Sequence, residues 1–209
     1  MAKILPFKEK IQCPPDNILR KVPSRPKNLD VRSREYLTLE EVNALMKAAG
    51  NIGRHQHRDR SLILIMIRHG LRVSEAIDLK WDQVNFKASS IYIRRLKNGK
   101  PATHYLEGDE MRALRRLKRE YPDSLYIFVT ERGGPLTRST VNKLITRAGK
   151  IAKFGFPAHP HMLRHACGYY LANKGIDTRT IQDYLGHVSI THTVRYTELS
   201  PHKFKGLWS

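Results

Sequence analysis

From Thr38 onward the apolar residues keep helical time. Leu39, Val42, Leu45, Met46 and Ala49 fall on one side of a helix, and Thr38 with Glu41 forms a capping box that starts it. A second helix is predicted over Arg58 to His69, closed by Gly70 where a helix commonly stops with glycine. A third follows at once, with Ser74 as its cap before Glu75–Lys80. The rhythm then changes to two. Ser90 to Arg95 (SIYIRR) alternate as a strand does, Lys97-Asn98-Gly99-Lys100 reads as a turn, and Pro101 to Leu106 as the returning strand. Helical spacing resumes over Gly108–Tyr121, Thr137–Lys150, His161–Lys174 and Asp177–Leu185, with a short strand at Tyr126–Val129. The pattern predicts a mainly α fold with a small antiparallel β-sheet, of the α+β class.

Residues 1–35 break this order. They hold five of the eleven prolines, nine Lys or Arg and four Asp or Glu, with no helical period. Repeated proline removes backbone donors and fixes φ, so this stretch is read as an extended basic arm or linker, either solvated or laid along an anionic partner. The rest divides into a catalytic-sized domain, 36–200, and a short tail, 201–209.

The whole chain of 209 residues has 38 Lys+Arg against 19 Asp+Glu, a formal charge of +19. Such an excess speaks of a polyanionic partner, since each phosphate neutralised by a cation releases counterions. Apolar residues, at 40%, are enough to build a core and exclude wholesale disorder. Two cysteines, Cys13 and Cys167, do not make a disulfide scaffold and fit a reducing compartment. The longest apolar run, Leu62 to Ile67, is far short of a membrane span, and the first residues lack the apolar stretch of a secretory signal. The expectation is a cytoplasmic or nucleoid-associated protein with no membrane partner.

Four segments place polar groups at helix edges. In Gly70-Leu71-Arg72-Val73-Ser74-Glu75, an arginine follows a glycine turn at a helix start, where its guanidinium and backbone N–H groups can face an anion. In His159-Pro160-His161-Met162-Leu163-Arg164-His165, His161 and His165 share a helical face. A zinc reading fails on the absence of a glutamate after the first histidine and on the charge of Arg164, so no metal is expected. His161 and Arg164, three residues apart, converge on one point and suit an oxyanion; His165 is then a buried, hydrogen-bonded support. Tyr184-Leu185-Gly186-His187 leaves His187 at a helix exit. His192-Thr193-Val194-Arg195-Tyr196-Thr197 offers Tyr196, which nothing local marks as reactive, since a phenol with a pKa of about 10 is neutral at pH 7. With Lys97 in its turn, the set is suited to phosphoryl transfer without a metal or other cofactor.

In this order and spacing, GLRVSE, RRLKNG, HPHMLRHACG, IQDYLGH and HTVRYT resemble the tyrosine recombinases of the phage integrase family, over roughly residues 37–200. The run from His159 to His187 is similar to the short invertases of fimbrial phase variation. The resemblance implies that Tyr196 attacks a DNA phosphodiester, giving a 3′-phosphotyrosyl link and a free 5′-hydroxyl. It implies that Arg72 and Arg164 clamp the non-bridging oxygens, and that Lys97 protonates the departing 5′-oxygen. It gives His161 to proton handling near the nucleophile, His187 to phosphate contact and support of the tyrosine, and Glu75 to orienting Arg72 or His161. The implied partners are double-stranded DNA bearing specific recombination sites, further copies of the chain in a tetramer on DNA, and DNA-bending accessory proteins. The biological outcome would be inversion, integration or excision. Full-length relatives carry a separate helical domain ahead of the catalytic one, and the proline-rich arm stands where that domain would be.

Two other readings share the charge. A regulator on the same scaffold binds without cutting and does not need Arg72, Arg164, His161 and Tyr196 together. A type IB topoisomerase uses related chemistry but relaxes supercoils without pairing sites. Phe204, Leu207 and Trp208 give the tail an apolar edge, expected to pack either on a neighbouring protomer or back on its own core. On the first expectation, deleting 201–209 abolishes pairing of two sites but spares binding to one, as measured by gel shift; recombination unchanged by the deletion rejects it.

Overall fold

The segment Pro160–Asn173 has buried residues on nearly every side, among them Met162, Leu163, Arg164, Ala166, Cys167, Gly168 and Tyr169. A helix of that composition must lie inside, because no face is polar enough for water. The computed structural model describes residues 34–96 and 99–198, and places this helix at the centre of the others. Residues 1–33 of the basic arm, Lys97 and the tail (201–209) lie outside the described residues.

In chain order the elements are helices α1 (Leu39–Ala49), α2 (Gln56–Arg68) and α3 (Val73–Ile77), then strands β1 (Val84–Asn85), β2 (Ser90–Ile93) and β3 (Ala102–Tyr105). Helices α4 (Gly108–Glu120), α5 (Arg138–Ile151), α6 (Pro160–Asn173), α7 (Thr178–Leu185) and α8 (Thr191–Glu198) follow. The strands form one antiparallel sheet in the order β1-β2-β3, with Ile91 opposite His104 and Ile93 opposite Ala102. This is the mainly α fold with a small antiparallel sheet that the periodicity predicts. Helix α6 packs against α2, α7 and α8, and more lightly against α1 and α5. Leu62, Ile65 and Met66 of α2 and Leu163 of α6 are fully buried; each such side chain is worth about 1.5–3 kcal/mol in transfer from water. No helix among the described residues is long and apolar enough to cross a membrane.

Local chemistry sets most boundaries. The Thr38 hydroxyl accepts from Glu41 N–H while the Glu41 carboxylate accepts from Thr38 N–H at 2.8 Å, completing the capping box. Asp177 caps α7 by accepting from the N–H groups of Arg179 and Thr180.

Helix α3 departs from expectation. It starts at Val73 with Arg72 as its cap residue, because the Glu75 carboxylate, not the Ser74 hydroxyl, reaches back to the Arg72 N–H at 3.0 Å; it stops at Ile77. Residues 126–129 form isolated bridges, Lys80 to Tyr126 and Val129 to Pro135, instead of a strand. Their apolar character comes from packing, since Ile127, Phe128 and Val129 are fully buried. Strand β1 is too short to show a period. Helix α8 (THTVRYTE) is poor in strong helix formers, and its contacts with α6 and α7 hold it.

Gly70 and Gly186 have positive φ, +56° and +65°. A Cβ at Gly70 would overlap Leu185 Cδ2 and crowd Cys167 Sγ, so the turn that delivers Arg72 closes tightly over α6 and α7. Gly70→Ala therefore combines left-handed strain with overpacking and should cost roughly 2–4 kcal/mol, read by denaturant unfolding.

Candidate active site

The residues singled out from the sequence are spread over more than a hundred positions; the fold brings Arg72 and Arg164 to one carboxylate, Glu75, and sets the histidines of α6 and His187 beside Tyr196. Glu75, on α3, is fully buried through its side chain. Its Oε1 lies 2.7 Å from Arg72 Nη1, and its Oε2 lies 3.0 Å from Arg95 Nη1 and 3.8 Å from Arg164 Nη1. The backbone N–H groups of Arg72 and Leu96 also donate to it. Burial alone would raise the pKa of Glu75; the N–H of Arg72 and the charges of Arg95 and Arg164 hold it below the usual glutamate range. Three guanidinium groups thus face one carboxylate. The surplus positive charge, partly withdrawn from water, forms a site for an anion.

Each guanidinium has a distinct setting. Arg72 keeps part of its side chain at the surface. Arg164, on α6, is 1% exposed and donates to the carbonyls of Gly70 and Leu185, which tie it to the turn after α2 and to the end of α7. Burial, with Arg72 and Arg95 nearby, lowers its pKa to about 10, so it stays charged at neutral pH. Arg95 follows β2 and donates to Glu75 and to the carbonyls of His69 and Tyr184. A Cβ at Gly186 would come within 2.6 Å of Arg95 Cγ, so the glycine that ends α7 also makes room for this side chain.

Sequence reading passed over Arg95. The signal was present, since Ile91, Ile93 and Arg95 share the inward face of an alternating run. A second buried group, His69 with His104 and Glu110, lies behind Arg95. His69 Nε2 is 3.0 Å from Glu110 Oε1, and the two histidine Nδ1 atoms are 3.1 Å apart.

The histidines and the tyrosine line the other side. His161 and His165 meet edge to face on α6, ring centres 4.4 Å apart. His161 is exposed at its outer edge, yet loss of water on its inner side, with His165, Arg164, His159 and Arg72 around it, pushes its pKa down to about 3. An anion placed there would reverse that direction. His187 follows α7, is buried, and shares a 2.8 Å hydrogen bond with Thr193 Oγ1 through Nδ1. Burial and then Arg164, Arg72, His192 and Arg95 lower its pKa to about 3.

Tyr196, on α8, is 3% exposed, with its ring 6.3 Å from His187 and 5.0 Å from Tyr169. Its hydroxyl lies 2.9 Å from His165 Nδ1. Burial raises its pKa to about 12 against the pull of Arg164, with Cys167 and Tyr169 adding to the rise. Lys97 lies outside the described residues. The flanking Leu96 is bound to Glu75, and a Cβ at Gly99 would come within 2.8 Å of Arg95 Cβ. Among the described residues no set of three His, Cys, Asp or Glu side chains is placed to hold a metal ion.

Glu75→Gln should destabilise the fold by about 3–5 kcal/mol by leaving buried guanidinium groups uncompensated. Because the folded pKa is lowered, the contribution of Glu75 is complete above the ordinary glutamate range and is lost as pH falls through its folded value. Denaturant unfolding at pH 7 and at pH 3 should therefore show a smaller acid loss in the variant than in the wild type.

Residues 35–203 match the phage integrase family. The chain is 44% identical over 184 residues to the type 1 fimbriae regulatory protein FimB of Escherichia coli K12, covering 86% of this chain and 92% of that one. It is 46% identical over 181 residues to the type 1 fimbriae regulatory protein FimE of the same strain, covering 84% and 91%. Among solved structures, XerA recombinase superposes with a TM-score of 0.70 at 29% identity, over 81% of this chain and 62% of that one. The site-specific recombinase XerH, in a pre-cleavage complex with its difH substrate, superposes with a TM-score of 0.68 at 25% identity, over 78% and 50%. The chain thus spans less than two thirds of these two recombinases.

Proposed function

The chain belongs to the phage integrase family, and on that premise we propose that it is a site-specific tyrosine recombinase that cuts and rejoins double-stranded DNA, with inversion of a DNA segment as its outcome. The observation that carries this reading is a buried tyrosine whose hydroxyl bonds His165, the residue next to Arg164, while Arg164 belongs to a cluster of three guanidinium groups around one carboxylate. The likeness to the fimbrial regulatory proteins over nine tenths of their length supports inversion over integration.

In this reading Tyr196 Oη forms a bond to the scissile phosphorus as the P–O5′ bond breaks. The resulting ester conserves the energy of the broken linkage, so rejoining needs no external energy source. Arg72 and Arg164 take the non-bridging oxygens, where negative charge grows in the transition state. Held by carbonyls and by Glu75, they need no reorganisation at that moment. His161, at the open edge, donates to the same phosphate once an anion restores its proton. His187 supports the flat side of the Tyr196 ring, and Glu75 orients the guanidinium groups. Lys97 gives a proton to the departing 5′-oxygen, since an alkoxide is a poor leaving group. Residues 36–200 carry the chemistry, the arm of 1–35 follows the DNA backbone, and the tail of 201–209 links protomers of a tetramer in the bacterial cytoplasm. DNA-bending proteins would assist that assembly.

A duplex nicked near the cleavage site traps the covalent intermediate, because the short 5′ fragment diffuses away. The wild-type chain should form a protein–DNA adduct that survives denaturation, and Tyr196→Phe should form none. Arg164→Ala should slow adduct formation on the order of 10²–10³-fold. A regulator that binds without cutting gives no adduct from any of the three, and sequencing the trapped DNA identifies the target.

A further inference from the structure

We propose that His165 is the base that takes the phenolic proton of Tyr196 during strand cleavage and returns it on rejoining, an assignment that rests on the recombinase reading above. The two groups are already joined, His165 Nδ1 to Tyr196 Oη at 2.9 Å. A phenol keeps its proton at neutral pH, and burial of Tyr196 strengthens that hold, so the hydroxyl donates and Nδ1 accepts. The ring proton of His165 then sits on Nε2, leaving Nδ1 ready for a second proton.

The seat of the tyrosine makes this pairing a fixed one. His161, Arg164, His165 and Gly168 fall on one face of α6 at helical spacing. Gly168 leaves an empty place on that face, and the Tyr196 ring fills it. A Cβ there would stand 2.5–2.7 Å from ring atoms Cε2, Cδ2 and Cζ. Tyr169 closes the seat edge to face at 5.0 Å. With the ring fixed, the hydroxyl is directed at His165. The other two histidines are occupied differently: His187 bonds Thr193 through Nδ1 and stacks on the ring, and His161 meets His165 edge to face from the solvent side. The charged and titratable groups facing the pair are His161, Arg164, Cys167 and Tyr169 from α6, Arg195 from α8, and His187 from the turn before it.

The step balances. The Oη–P bond forms, the P–O5′ bond breaks, the phenolic proton passes to Nδ1, and the 5′-oxygen leaves with a proton from Lys97. On rejoining, the 5′-hydroxyl attacks the phosphotyrosine and the departing phenolate recovers its proton from His165.

The test uses the full chain and the nicked duplex. His165→Asn puts an amide oxygen near the place of Nδ1, which accepts the hydrogen bond but cannot take the proton. Adduct formation should fall on the order of 10²–10⁴-fold, with duplex binding and thermal unfolding unchanged. The fall should persist on a duplex whose 5′-bridging oxygen is sulfur, because a thiolate leaves without an acid and only the nucleophile's side is then rate-limiting. The wild-type rate should decline toward acid as His165 is protonated. That decline should disappear in His165→Asn and remain in His161→Asn. A loss smaller than about ten-fold, below the range of general-base catalysis, overturns the assignment. So does a loss that the sulfur substrate abolishes, or an acid decline that persists in His165→Asn. If the asparagine variant does not fold, His165→Ala, which likewise leaves no base at this place, is read by the same measures. A wild-type chain that forms no adduct at all removes the recombinase reading and this assignment with it; an adduct from the wild type beside an undiminished His165→Asn removes the assignment alone.

Discussion

One buried carboxylate organises the centre of this protein. Glu75 sits between Arg72, Arg95 and Arg164, which arrive from the turn after α2, the end of β2 and the middle of α6. Without it, these cations would repel one another in a place that water reaches poorly. With it, they are held together and still carry a net positive charge. A buried ion cluster is a weak source of stability, because desolvation cancels much of the attraction. Its value here is geometric and electrostatic: the donors are fixed before any substrate arrives. The proposed chemistry, which has no metal to stabilise the charge on phosphorus, depends on that preparation.

Helix α6 is the second constraint, and it serves the core and the site at once. Met162, Leu163, Ala166 and Cys167 fill the interior, while His161, Arg164, His165 and Gly168 face the cluster and the tyrosine. A helix packed on nearly all sides cannot shift one side chain without disturbing its neighbours. That rigidity is what a tyrosine needs if its hydroxyl is to meet both a base and a phosphate. The tyrosine itself comes on α8, a short helix of weak propensity that depends on α6 and α7 for its place. The nucleophile of the proposed reaction is thus carried by the less autonomous element and positioned by the more rigid one.

The two histidines flanking the tyrosine and Arg164 follow from the same charge distribution. His161 and His187 are both driven toward the neutral form by burial and by the nearby arginines. A neutral imidazole can accept a proton or donate one hydrogen bond, and an incoming phosphate would change which of these is favoured. The resting site therefore holds its positive charge on arginines and keeps the imidazoles of His161 and His187 uncharged, a division suited to binding an anion first and moving protons afterwards.

Much of the fold was legible in order along the chain. The capping box at Thr38, the alternation of Ser90 to Arg95 and the glycine stops at Gly70 and Gly186 are local signals, and they place helices and strands without reference to the rest of the molecule. The motif residues were legible as a set because their types and order resemble one family. Other features had no local expression. The start of α3 depends on which of two side chains reaches a backbone N–H, and helix α8 exists through its neighbours. Arg95 became part of the cluster because three carbonyl and carboxylate acceptors from distant segments meet its guanidinium. Gly168 matters only because the ring of Tyr196, 28 residues further along, occupies the space it leaves. Sequence by itself determined the element types, the excess of charge and the kinds of groups available, since these follow from short-range periodicity and composition. Only the tertiary structure decided which cation shares which carboxylate and which histidine meets the phenol, because hydrogen bonds and close contacts depend on distances that spacing along the chain does not encode.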